Sequence, residues 1–139
     1  MKKILSITLI SLALFQCGSD DNISTKPIID NFDTSKATLI KSGEFITVSE
    51  PVSGTASLYD SSGSFYIVLN PFMSANGPDV KVYLSTDADA SQYIKLGNLK
   101  STTGKQTYEV PAGTDLTKFT YVHIWCERFT VNFGNAQLK

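Results

Sequence analysis

The segment Tyr121–Phe129 brings together the side chains of this sequence that are best suited to redox or ligand chemistry. It contains the only histidine and the only tryptophan, His123 and Trp125, together with Cys126, one of the two cysteines. A lone thiol can act as a redox centre or as an axial ligand to haem, and a histidine can also ligate haem. This segment is therefore the first candidate for a functional site, with Trp125 beside the two possible ligands.

The alternation of a β-strand restrains this chemistry. Successive side chains of a regular strand point to opposite faces, so Cys126 shares the more apolar face with Val122 and Ile124. His123 and Trp125 lie on the other face, and only a β-bulge between His123 and Cys126 would bring both onto one side. Free cysteine is among the most buried residue types. Two interpretations of Cys126 are therefore open, an inert core residue and a reactive thiol. We expect His123 to be a half-exposed aromatic on the outer face.

Counting the possible ligands removes most metal and redox centres. A structural zinc site needs four cysteine or histidine ligands, and a blue-copper centre needs two histidines and one cysteine. The sequence offers neither set and has no Cys-x-x-Cys pair. Asp87 and Asp89 lack the glycine and the distal glutamate of a calcium loop, which favours a solvated acidic loop. We therefore predict no metal site, and haem bound through Cys126 or His123 is the cofactor left open.

The N-terminus has the pattern of a lipoprotein signal peptide over residues 1–16. Two lysines precede the apolar stretch Ile4–Phe15, which is too short to span a bilayer, and Leu14–Cys17 resembles a lipobox. Cleavage would leave Cys17 as the lipidated N-terminus, so a membrane is the expected partner through the lipid. The acidic run Ser19–Asp21 resembles the export tags of surface lipoproteins. The predicted location is the cell envelope, at the outer membrane or cell surface rather than the inner membrane.

The charge and composition of the remaining chain limit its possible partners and its domain organisation. Loss of two lysines from the twelve basic residues leaves ten against thirteen acidic ones, a formal charge of −3. There is no basic cluster, so nucleic acid is an unsuitable partner. Residues 17–36 are mostly polar and are predicted to be a lipidated cysteine followed by a flexible tether. Residues 37–139 are long enough to form one folded domain.

Short runs of β-branched and aromatic residues alternate with turn residues from about Thr38 onward. Without a convincing helical period, this pattern predicts an all-β fold, an antiparallel sandwich or barrel of about eight short strands. Ser61–Gly63 is predicted to be a hairpin turn. The predicted strands are Glu44–Val48, Gly54–Tyr59, Phe65–Leu69, Asp79–Leu84, Gln106–Val110, Tyr121–Cys126, Phe129–Phe133 and Ala136–Leu138.

Several motifs occur in a recognisable order, and the most specific are Gly77–Leu84, which contains Pro-Asp-Val, and Trp125–Gly134, which reads Trp-Cys-x-x-Phe-x-Val-x-Phe-Gly. This order resembles the DM-thirteen domain, the electron-transfer DM domain found beside DOMON domains in animal cell-surface proteins and alone in bacterial lipoproteins. The resemblance covers about Lys41–Leu138, and the single cysteine of the family matches Cys126. It implies a redox role for that cysteine, as a naked thiol or as a ligand to a group such as haem.

The first functional hypothesis is an accessory electron-transfer module that acts through Cys126 on an unknown redox partner. Trp125 and Phe129 would shield the thiol or stack on a prosthetic group, and Arg128 would supply positive charge. Arg128 would share the strand face of Cys126 only if the strand continued that far, and Glu127–Arg128 fits a turn equally well. We expect no enzymatic activity of the protein on its own.

The alternative hypothesis is a non-catalytic cell-surface binding module, in which Cys126 only packs in the core. Recognition of a protein, a glycan or peptidoglycan would then lie in the loops Asn70–Asn76 or Thr86–Tyr93. A hydrolytic enzyme has the least support, because one histidine and no paired-carboxylate motif offer no activated nucleophile.

Overall fold

The computed structural model describes residues 23–139, so the predicted signal peptide and the lipidation of Cys17 lie outside the described residues. Eight antiparallel strands in this part of the chain form one nearly closed, barrel-like sheet and a single domain. The all-β prediction is confirmed, in its barrel form. The strands are β1 (Thr38–Thr47), β2 (Val52–Ser61), β3 (Ser64–Ser74), β4 (Val80–Ser85), β5 (Tyr93–Asn98), β6 (Gln106–Glu109), β7 (Tyr121–Cys126) and β8 (Val131–Gln137).

The order of the strands around the sheet is β5-β4-β7-β8-β1-β2-β3-β6. β7, which carries the candidate site, is therefore an interior strand that pairs with β4 on one side and β8 on the other. A 3-10 turn at Thr34–Lys36 precedes β1. Within residues 23–139, no helix is long and apolar enough to cross a membrane.

The β2–β3 connection shows how local sequence sets the fold. Ser62 and Gly63 have φ angles of 54° and 86°, the pair of positive values that a two-residue type I′ hairpin turn requires. The amide of Gly63 donates a hydrogen bond of 2.8 Å to the carboxylate of Asp60. The predicted hairpin turn at Ser61–Gly63 is confirmed.

Two differences from the predicted strands have physical reasons. β5 was not predicted, because this strand pairs only with β4 at the end of the sheet and none of its side chains is fully buried. The predicted strands Phe129–Phe133 and Ala136–Leu138 are one strand, β8. Gly134 lies between the two predicted strands, and an ideal Cβ there would lie 2.5 Å from the carbonyl oxygen of Ile46. This glycine allows the close approach of β1 and β8 instead of ending a strand.

The core lies inside the barrel and is built by the inward faces of nearly all strands. Cys126 belongs to this core and is fully buried. The core residues that are at most 1% exposed include Leu58, Ile67, Leu69, Val82, Leu84, Val122 and Ile124.

The last part of the predicted tether contacts the domain. The hydroxyl of Ser101 lies within hydrogen-bond distance of the carbonyl oxygens of Ser24 and Lys26, at 3.1 and 2.7 Å, and its single proton can be donated to either. The ring of Phe32 packs against Tyr66 with a centroid distance of 4.8 Å. The boundary between tether and domain at residue 36 stays a prediction. These contacts attach the chain to the outside of the barrel from Ser24 onward.

Candidate functional site

β7 carries the three residues proposed as the site, and the fold divides them between two faces. Its pairing with β4 runs without a shift from Val80 opposite Cys126 to Ser85 opposite Tyr121. The one irregularity lies on the other side, where the register with β8 shifts between Ile124 and Trp125. That shift adds a residue to β8 and leaves the alternation of β7 intact. Cys126 therefore faces the core, while His123 and Trp125 are on the outer face.

Cys126 is the free cysteine of the described chain and is 0% exposed. Its partners across the sheet are Val80 on β4 and Val131 on β8. The apolar cluster that contains it also contains Val122 and Ile124. A dissolved reagent cannot reach the sulfur of Cys126 while the barrel stays closed.

These positions do not fit a haem site in the folded domain. Cys126 and His123 lie on opposite faces of the same strand, so they cannot ligate one iron together. Cys126 is enclosed by apolar side chains, and the nitrogen Nε2 of His123 is already hydrogen-bonded. A haem ring would need space that these contacts occupy. The haem prediction therefore gains no support from the arrangement of the residues.

His123 lies on the predicted face, but the prediction that it is half exposed is wrong. The side chain is 0% exposed, because the loop after β4 covers it. Its Nε2 lies 2.7 Å from the hydroxyl of Ser85 and 3.0 Å from the carbonyl oxygen of Asp87. Its Nδ1 is buried without a hydrogen-bond partner among residues 23–139, and the same holds for Oδ1 of Asn132.

Burial gives His123 an acid-sensitive contribution to stability. Desolvation lowers the pKa of His123 from its ordinary value of 6.5, although the hydrogen bond to Asp87 and the side chain of Asn132 act in the opposite direction. The carboxylates of Asp87 and Asp89 also favour the charged ring. The group is therefore neutral in the folded protein at neutral pH, and its protonation is easier in the unfolded chain.

We expect the domain to lose stability as the pH falls below about 6.5. The unfolded chain then binds more protons than the folded one, so the free energy of unfolding decreases until the folded pKa is reached. The slope contributed by His123 is at most about 1.4 kcal/mol per pH unit. Urea unfolding between about pH 7 and 5 measures it. His123→Gln, which retains a hydrogen-bonding side chain, should show a flatter slope, and equal slopes in both proteins would contradict this assignment.

The outer face also carries a stack of three aromatic rings across β5, β4 and β7. Tyr93 stacks on Tyr83 with centroids 4.3 Å apart and planes 8° apart. Tyr83 stacks in turn on Trp125, at 5.7 Å and 18°. We call Tyr93, Tyr83 and Trp125 the aromatic column. Tyr83 is 3% exposed and Tyr93 is 52% exposed, so the column leads from a buried ring to the surface.

A carboxylate and an ammonium group complete this cluster. The hydroxyl of Tyr83 donates a hydrogen bond of 2.7 Å to Oε1 of Glu127, and Nζ of Lys95 lies 2.5 Å from the same oxygen. Lys95 and then Tyr83 lower the pKa of Glu127. Burial, followed by the bond to Glu127, raises the pKa of Tyr83 well above its ordinary value. At neutral pH the phenol is therefore protonated and the carboxylate is ionised.

An open cleft of about 320 Å³ lies beside this cluster. Sequence reasoning found Trp125 but missed Tyr83, Tyr93 and Glu127 as parts of one site. The available signal was the alternation of Val80, Val82 and Leu84 with Lys81 and Tyr83, which places Tyr83 on the outer face, but its partner strand β5 was not predicted. The cleft is lined by Tyr83, Ala90, Tyr93, Trp125, Glu127 and Thr130.

The turn between β7 and β8 corrects one expectation and decides one alternative that the sequence left open. Phe129 is 65% exposed, so the prediction that it shields the thiol is wrong. β7 ends at Cys126, and the amide of Thr130 donates to the carbonyl oxygen of Glu127 at 3.3 Å. Arg128 therefore lies in a turn and does not continue the strand face of Cys126. Within residues 23–139, no group of three or more histidine, cysteine or acidic side chains is placed to hold a metal ion.

The fold and the site define a small all-β, barrel-like domain with a buried cysteine and an aromatic outer face. The family model described as "Electron transfer DM13" matches residues 44–138, and the chain belongs to this family. The resemblance seen in the sequence is thereby confirmed. Comparison with the curated proteins and with the solved structures found no match. The family description supports a redox module in general.

Proposed function

We propose that the protein is an accessory electron-transfer domain that is tethered to an outer membrane or cell surface by a lipid on Cys17 and uses Cys126 as its redox residue. The observation that carries this proposal is the family match, because the matched residues 44–138 include Cys126. Its partner would be another redox protein of the cell envelope. An exported location suits this role, since Cys126 is the free cysteine of residues 23–139 and has no disulfide partner in the chain when Cys17 carries the lipid.

The burial of Cys126 sets a condition on this role. Thiol exchange requires direct contact between the attacking sulfur and a disulfide, so the folded domain must open locally before Cys126 reacts. Cys126 is the last residue of β7, directly before the turn that ends at Thr130. Thr130 has a φ of 53°, which is strained for a β-branched residue. Strain in this turn supports opening at this end of the strand.

Reversible oxidation in a glutathione redox buffer tests the proposal. Attack of the Cys126 thiolate on glutathione disulfide forms a mixed disulfide and releases one glutathione thiolate, and added glutathione reverses the step. We expect one adduct per solubilised chain by mass spectrometry, with an unchanged circular dichroism spectrum. Cys126→Ala is the control and should form none. An adduct that forms only in unfolding urea would leave Cys126 as a core residue and would refute its redox role.

A titration with haem distinguishes two forms of the proposal, Cys126 as a redox-active thiol and Cys126 as a ligand to haem. The folded positions of Cys126 and His123 give no haem site, so we expect no saturable Soret band. A band at one haem per chain that disappears in Cys126→Ala but persists in His123→Gln would instead establish ligation by the cysteine.

The open cleft beside the aromatic column favours a second candidate function, binding of a cell-surface protein or glycan. Aromatic rings next to polar groups are common in recognition sites, and Ala90 and Tyr93 come from the predicted recognition loop Thr86–Tyr93. On this hypothesis Trp125→Ala abolishes binding in a glycan-array or surface-capture assay, whereas Cys126→Ala leaves binding intact.

A further inference from the structure

We propose that Tyr83 is a redox-active tyrosine, which loses an electron through the aromatic column to a one-electron acceptor while its hydroxyl proton passes to Glu127. This activity goes beyond the proposed function because it does not use Cys126. It rests on the ring stack, on the hydrogen bond between Tyr83 and Glu127, and on the exposure of Tyr93.

The first step of the argument is the path for the electron. The ring of Tyr83 is almost fully buried and cannot meet an acceptor directly. The ring of Tyr93 stacks on the ring of Tyr83 with centroids 4.3 Å apart, and about half of Tyr93 is exposed to solvent. Trp125 extends the column at 5.7 Å. Rings at these separations are close enough for electron transfer, so the column connects Tyr83 to the surface.

The second step is the path for the proton. A phenol becomes much easier to oxidise when its proton can leave together with the electron, and this requires a base within hydrogen-bond distance. Glu127 accepts the hydrogen bond of the Tyr83 hydroxyl at 2.7 Å. The Glu127 carboxyl is ionised at neutral pH, because its ordinary pKa of 4.5 is lowered further by the ion pair with Lys95 at 2.5 Å. The proton acceptor is therefore already in place and in the correct protonation state.

The step is balanced as one electron and one proton. The acceptor, a strong one-electron oxidant, takes one electron and is reduced. The O–H bond of Tyr83 breaks and an O–H bond forms on Glu127, which leaves a neutral tyrosyl radical beside a neutral carboxylic acid. Return of the electron and the proton restores the starting state, so Tyr83 acts as a relay and is not consumed.

Photochemical oxidation of the solubilised full chain tests the proposal. A ruthenium polypyridyl complex is excited and quenched in the presence of the protein, and transient absorption follows the formation of tyrosyl radical. We expect a fast phase that is absent in Tyr83→Phe. Glu127→Gln should slow this phase by at least about 100-fold, the lower end of what a positioned general base contributes. Replacing water with deuterium oxide should also slow it.

Two control variants separate this role from a structural one. Tyr66→Phe removes the hydroxyl of a tyrosine outside the column and should leave the fast phase unchanged. Lys95→Met breaks the ion pair but increases the proton affinity of Glu127, so the fast phase should be equal or faster. The proposal is overturned if the fast phase is missing from the wild type or survives Tyr83→Phe. It is also overturned if Lys95→Met slows the phase as much as Glu127→Gln does.

Discussion

Alkylation of Cys126 in the native protein is expected to be at least about 1,000-fold slower than in the urea-unfolded chain. The sulfur belongs to a residue that is 0% exposed in an apolar cluster, so it reacts only in the fraction of molecules that are open. A factor of about 1,000 corresponds to an opening free energy of about 4 kcal/mol, which lies just below the global stability of ordinary domains. Timed labelling with iodoacetamide, followed by mass spectrometry, measures both rates.

The urea dependence of this labelling identifies the opening event. Opening of only the β7–β8 turn exposes little surface, so the labelling rate should be nearly constant at low urea concentrations. If Cys126 reacts only through global unfolding, the rate follows the full urea dependence of stability from the start. Cys126→Ala corrects for any other reactive group. Native labelling at the unfolded rate would contradict the buried position of the sulfur.

The sequence predicted β7 well because period-2 alternation is a local property. Tyr121–Cys126 was predicted as a strand and is one, with Cys126 on the inner face and His123 on the outer face. The hairpin turn at Ser61–Gly63 was equally local, since Gly63 after two serines indicates a turn with a positive φ at the glycine. Local backbone preferences and the alternation of apolar residues were therefore sufficient to predict most strands and the fold class.

The site was only partly predictable because its contacts are between distant parts of the chain. Tyr83 and Glu127 are 44 positions apart, and their hydrogen bond depends on how β4 and β7 pair. The burial of His123 depends on the loop that follows β4, whose path the strand pattern does not determine. Alternation correctly assigned the face of each residue of β7. It could not indicate which outer-face residues are covered.

Gly54→Ala is expected to destabilise the domain by about 4 kcal/mol, the sum of a backbone strain and an overpacking cost. Gly54 has a φ of 108°, a left-handed value that an alanine rarely adopts. An ideal Cβ at this position would lie 2.0 Å from the carbonyl oxygen of Pro71, so the backbone itself must move. The β2–β3 register shifts between Gly54 and Ala56, and this bulge brings the two strands together there.

Gly63→Ala in the same hairpin is the matched control for this effect. Gly63 also has a positive φ, 86°, but no atom lies within 4 Å of the position of its Cβ. Only the backbone cost remains, so a loss of about 1 kcal/mol is expected. Ser62 at a φ of 54° shows that this turn tolerates a side chain. Urea unfolding of both variants measures the difference. Equal losses would mean that the contact with Pro71 does not limit residue 54, and that the requirement for glycine there is conformational alone.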